Sequence, residues 1–201
     1  MKTTPLLGFL TVINYPRTGF VGGFLVLNSV GRPVEFHCTT SLKPNRAQEI
    51  LFGNALEPYL FGEQIAQTLV RKSQVDIGFL FTDSPGVLAL QDFVEQPIIY
   101  VPQPGSDGDE TSDQWEPGEN PSLFSRPETS PKQYQPLRSV PGLSISRWKE
   151  IRVANFPLWA PDDRNVAISI ISEKLADYIG SIDFFEPFSR VRLALEEAQK
   201  N

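Results

Sequence analysis

Proline and acid crowd into one stretch of this chain, and that stretch limits how the rest can fold. Eight of the 18 prolines fall at positions 102, 104, 117, 121, 127, 131, 136 and 141, and Asp107 through Glu119 carries six carboxylates and no base. Such a segment cannot bury enough apolar surface to offset the entropy lost on ordering it. The sequence therefore predicts a disordered, acidic, Pro-rich linker over 102–141. Residues 1–101 and 142–201 are expected to fold together around it as one core, for which 201 residues with 40% hydrophobic content suffice.

The net charge of −6 follows the same division. Residues 1–101 hold 7 bases and 8 acids (−1), 102–141 hold 3 and 7 (−4), and 142–201 hold 8 and 9 (−1). The folded parts are thus near neutral, without the basic footprint that nucleic-acid binding draws on. No run approaches the roughly 18 apolar residues that span a bilayer. One cysteine forms no internal disulfide, and the opening MKTTPLLGFLTVINYP reads as a strand rather than a signal peptide. These features predict a cytoplasmic protein with no membrane partner.

In the first segment, strands are expected at Leu6–Asn14, Phe24–Leu27 and Pro33–Thr40, the last two forming an antiparallel hairpin across Asn28–Gly31. In the third strand Val34, Phe36 and Cys38 share one face and Glu35, His37 and Thr39 the other, so the apolar face is expected to be buried. Asn45 is placed as an N-cap with Gln48 at N3, a capping-box spacing. A second helical stretch begins near Pro58 and ends near Lys72, where Gly62 and Ala66 invite close approach of a neighbouring backbone. Val75–Thr82 reads as a buried strand, Pro85–Val94 as a short helix and Pro97–Val101 as another strand. A further strand is expected over Ile145–Val153, then a helix capped at Asp162 or Asp163 and running to Ile179. A last helix carries the stripe Phe188, Val191, Leu195 and Ala198. The predicted class is α/β, with α+β as the alternative. A mixed sheet with an N-terminal hairpin, crossover helices and a helical C-terminus is interrupted by the insert. In segments, 1–101 supplies the hairpin and a βαβαβ unit, and 142–201 adds a strand and two helices.

Chemistry-bearing residues are sparse. Glu35 and His37 point the same way from one strand, yet no further ligand has recognisable spacing, and a polar strand face explains both. Cys38 faces the other way and reads as a small buried hydrophobe. The glycines of Thr18–Gly23 lead into a strand, so backbone freedom at a sheet edge accounts for them better than phosphate binding. Asp83 lies at the C-terminal end of a buried strand, where open α/β sheets place ligands, although a cap on the helix at Pro85, made by Asp83 or Ser84, is the plainer role. Arg32, Lys43 and Arg46, with Asn45, could meet an anion at a helix N-terminus. The ligand-site candidates are therefore Arg32, Glu35, His37, Lys43, Asn45, Arg46 and Asp83. No catalytic residue, metal site or cofactor is expected. No Ser-His-Asp order, Walker motif, zinc-knuckle spacing or catalytic carboxylate pair can be assembled, which weighs against an enzyme without deciding the matter. The expectation is a non-catalytic interaction, adaptor or regulatory protein with a protein partner, a homodimer through the C-terminal helix and no nucleic acid. The alternative is a domain or enzyme for a nucleotide or phosphate-type anion, using the Arg32/Lys43/Arg46 cluster or the strand end at Asp83.

Overall fold

The computed structural model describes residues 5–103, 142–153, 156–162, 168–176, 178 and 183–200. From residue 104 onward the expected linker lies outside the described residues, as do Asp163 and Ile179 of the expected fourth helix.

Seven strands make one mixed sheet in the order β3-β2-β1-β4-β5-β7-β6, placing the protein in the α/β class. β1 (Leu6–Tyr15), β2 (Gly19–Leu27) and β3 (Pro33–Cys38) form an antiparallel meander. β1 also pairs in parallel with β4 (Ile77–Thr82), which pairs in parallel with β5 (Ile98–Tyr100). β6 (Trp148–Val153) and β7 (Phe156–Pro161) extend the sheet antiparallel from β5. Central strands are buried on both faces, which is why β1, β2 and β4 read as apolar runs rather than clean alternations.

Each face carries its own helical layer. On one, α4 (Ile168–Ala176) and α5 (Glu186–Gln199) cover Phe9, Leu25, Phe81, Ile151 and Leu158 with Ile171, Phe188, Val191 and Leu195. On the other, the chain runs helically from α1 (Arg46–Phe52) through α2 (Leu56–Pro58) and a π-helical stretch, Tyr59–Ala66, into α3 (Gln67–Lys72). With the 3₁₀ helix Pro85–Asp92, this layer covers Leu10, Phe24, Val26 and Leu80. The Asn45–Gln48 capping box forms as the spacing predicts. Gly62 also packs as expected, since a Cβ there would lie 2.7 Å from that of Ala89.

Gly22 and Gly23 owe nothing to an edge. β2 is an interior strand, and neither glycine has a positive φ. A Cβ on Gly22 would collide with Ile65, and one on Gly23 with Val191 and Leu195. Adjacent residues on opposite faces thus let both helical layers close onto β2.

The faces of β3 are the reverse of expectation. Val34 and Phe36 are 44% and 39% exposed and Cys38 is also exposed, while Glu35 and His37 are half-buried. β3 is an edge strand, and α5 packs on β1 and β2 without covering it. Of the C-terminal stripe, Phe188, Val191 and Leu195 are buried in the core while Ala198 is exposed. Among the described residues no helix is long and apolar enough to cross a membrane.

Candidate strand-end site

At the centre of the sheet β4 ends beside Leu10 of the parallel strand β1, which runs on to Tyr15, and a buried polar network gathers at that strand end. Asp83 follows β4 directly, and its side chain is fully buried. Its carboxylate accepts the Thr11 hydroxyl of β1 at 2.7 Å and the Ser84 hydroxyl at 3.1 Å, and pairs with Arg192 of α5. The Ser84 oxygen in turn accepts the Val12 amide at 3.1 Å. Neither Asp83 nor Ser84 caps the helix at Pro85 through its side chain. The expected capping role gives way to a network joining β1, β4 and α5. A buried charge requires such partners, since an unpaired one would be neutralised or expelled.

Arg192 faces both ways. One nitrogen meets the buried carboxylate, yet the side chain is 42% exposed, leaving donors of its planar fork to solvent. Farther along β1, the Tyr15 hydroxyl is buried with no hydrogen-bond partner among the described residues. Burial raises its pKa above the ordinary 10.0, the nearby Glu196 carboxylate adds to that, and Arg192 opposes it. Glu57 flanks the first turn of the 3₁₀ helix, with its carboxyl against Gly86. Burial raises its pKa above the ordinary 4.5, and the Gly86 amide works the other way.

The other candidates do not converge. Arg32 lies in the β2–β3 turn, whereas Lys43 adjoins the start of β2, where Phe20 and Leu42 exchange backbone hydrogen bonds. The nine residues of β2 put them roughly 26 Å apart at about 3.3 Å per residue. The Asn45 side chain is consumed by its cap, and Arg46 pairs with Glu49 on exposed helix surface. Glu35 accepts the Ser73 hydroxyl at 2.7 Å, the Gln74 amide at 3.2 Å and His37 Nε2 at 3.2 Å. That pair fastens β3 to the end of α3. Of the seven candidates only Asp83 joins the strand-end network. Thr11, Tyr15, Arg192 and Glu196 were missed, and only strand-face alternation in β1 could have flagged Thr11 and Tyr15. Among the described residues no group of three His, Cys, Asp or Glu side chains could hold a metal ion.

No protein-family model matches the chain, and no curated protein matches it. Among solved structures, human ENDOV is similar at 13% identity and a TM-score of 0.43, over 98% of this chain and 85% of that one. The Ciona intestinalis endonuclease V, in complex with a 24mer DNA containing an inosine followed by a ribo-adenosine, is similar at 8% identity. Its TM-score is 0.43, over 96% of this chain and 87% of that one. Overlap of this order gives no residue correspondences, and no site residue is carried across. The Ciona structure is of an endonuclease on DNA, which runs against two expectations, a non-catalytic adaptor with a protein partner and the exclusion of nucleic acid; likeness at this TM-score assigns no role to this chain. The exclusion rested on summed charge, and a sum conceals where bases gather. Arg17 in the β1–β2 turn and Lys43 beside it are exposed, without an ion pair among the described residues, at the sheet end that also holds Arg192.

Proposed function

We propose that this chain binds the phosphate backbone of a nucleic-acid strand at the sheet end formed by β1, the β1–β2 turn and α5. The observation that carries the reading is the Arg192 side chain, anchored on fully buried Asp83 and still 42% exposed. A guanidinium already held in place loses less entropy on meeting a phosphate, and its fork geometry suits the phosphate oxygens. Arg17 and Lys43 extend the basic track. Tyr15 lies four residues beyond Thr11 on β1, so the turn carrying Arg17 is displaced from the network by about 13 Å. That spread suits an extended polyanion better than one isolated phosphate. Glu196 on the same side opposes it, so binding is weak and strongly dependent on salt.

Fluorescence anisotropy with labelled single-stranded and duplex oligonucleotides tests this. Three contacts to a single strand correspond to a slope of log affinity against log salt of about −2. The surface double variant Arg17→Ala/Lys43→Ala should flatten that slope by about 1.4 without altering the melting temperature. Absence of binding at low salt, or a slope untouched by the double variant, overturns the reading.

A further inference from the structure

On the sheet face opposite α5, a cleft of about 360 Å³ opens between the α1–α2 region, the end of the 3₁₀ helix and the start of β6. Its walls are aromatic. Phe52 and Tyr59 stack with centroids 4.0 Å apart, Trp148 lies deeper, and Phe93 stands 49% exposed at the mouth. The rim is built rather than loose. Gly142 has φ +81, and a Cβ there would sit 2.8 Å from Ala55 Cα, so the chain at Gly142 presses tightly on the α1–α2 region. The Trp148 indole donates to the Ile98 carbonyl at 3.1 Å, which fixes the floor.

Two of the cleft's charged groups satisfy each other: Arg147 pairs with Asp92 and lies 5.7 Å from the Trp148 ring centroid. The third does not. The half-buried Glu63 carboxylate lines the cleft with neither a hydrogen bond nor an ion pair among the described residues. An acceptor that no protein donor occupies, set beside ring faces, is placed to receive an edge N–H of a flat ligand in exchange for water. We propose that this cleft binds a nucleobase-like heteroaromatic ring, stacked against the aromatic walls and donating its edge N–H to Glu63. The volume falls in the range of small-ligand sites, which start near 300 Å³. This site is independent of the strand-end reading, because a nucleoside carries no phosphate for Arg192.

The test is calorimetric titration of the full chain with adenosine, guanosine, cytidine and uridine, beside the oligonucleotide titration above. At least one nucleoside should saturate with a Kd on the order of 0.1 mM, as expected for a ligand of about 20 heavy atoms. Glu63→Ala should weaken it at least tenfold, and Ser144→Trp, which plugs the rim from an exposed position, should abolish it. If no nucleoside saturates but Glu63→Ala weakens the oligonucleotide at least threefold, the ring is one presented by a strand and the site stands. No saturation together with unchanged oligonucleotide affinity, or nucleoside binding indifferent to both variants, overturns the proposal.

Discussion

Asp83 and Glu35 are two carboxylates with three partners each, and they hold the molecule in different ways. Asp83 collects Thr11, Ser84 and Arg192, drawing together residues 72 and 109 positions away, with its own side chain fully buried. Glu35 collects Ser73, Gln74 and His37 from the edge of the sheet, where solvent reaches the pair. Burial sets the consequence of losing a partner. An interior charge deprived of its counterion has no water to turn to, whereas an edge charge rehydrates.

The sharpest way to break that comparison is Arg192→Ala. Stripping the counterion from a buried pair costs about 3–5 kcal/mol, and the half-exposed guanidinium leaves room for water, so the low end, about 3 kcal/mol, is expected. For a chain of this size that corresponds to a fall in melting temperature of roughly 6–12 °C by calorimetry. Adding Asp83→Asn to Arg192→Ala should recover part of the loss, because the stranded charge disappears with it. A double variant as unstable as the sum of the two single ones would mean the pair is not coupled.

A smaller effect is expected at Thr11→Val, which keeps the shape and strand preference of the residue while deleting the hydroxyl that donates to Asp83 at 2.7 Å. Ser84 and Arg192 still serve the carboxylate, so the loss should be about 1 kcal/mol in denaturant melts. A change within a few tenths of zero would say that water replaces the hydroxyl and that the pocket is wetter than the structure indicates.

Why the sequence revealed one of these carboxylates and hid the network of the other is a matter of range. The Asn45–Gln48 box, the β2–β3 hairpin and the strand–helix alternation up to residue 101 depend on residues two to five apart, and they form as read, whereas residues 142–201, read as one strand and two helices, contribute two strands, β6 and β7. Glu35 and His37 were paired by the two-residue period of a strand, and they do meet. Which face of β3 would be wet depended instead on how far α5 reaches across the sheet, and no local pattern in β3 encodes that. Gly22 and Gly23 were misread for the same reason, because their neighbours Ile65, Val191 and Leu195 are remote in sequence. Asp83 was noticed by its place at a strand end, but a cap needs only the next few residues and therefore explained it too easily. Arg32, Lys43 and Arg46 looked clustered because they lie within 15 positions, until the length of β2 separated Arg32 from the other two.

The smallest effect sharpens the solvent-facing side of the comparison. The Ser73 hydroxyl foremost, joined by the Gln74 amide and His37, holds the Glu35 carboxyl below its ordinary 4.5, outweighing the partial burial that pushes it up. A carboxyl depressed in the folded chain stabilises it above the unfolded value, and that contribution drains away as pH falls through the folded one. Glu57 works in the opposite direction: burial raises it, so acid relieves a cost there rather than adding one. Glu35→Gln should therefore flatten the decline of melting temperature below about pH 4.5, and Glu57→Gln should steepen it by removing the compensating gain. Melting curves from pH 7 to pH 3 would read both slopes. If Glu35→Gln leaves the acid limb unchanged, β3 is held to α3 by its backbone ladder with β2 and by packing, and the carboxylate only decorates the junction.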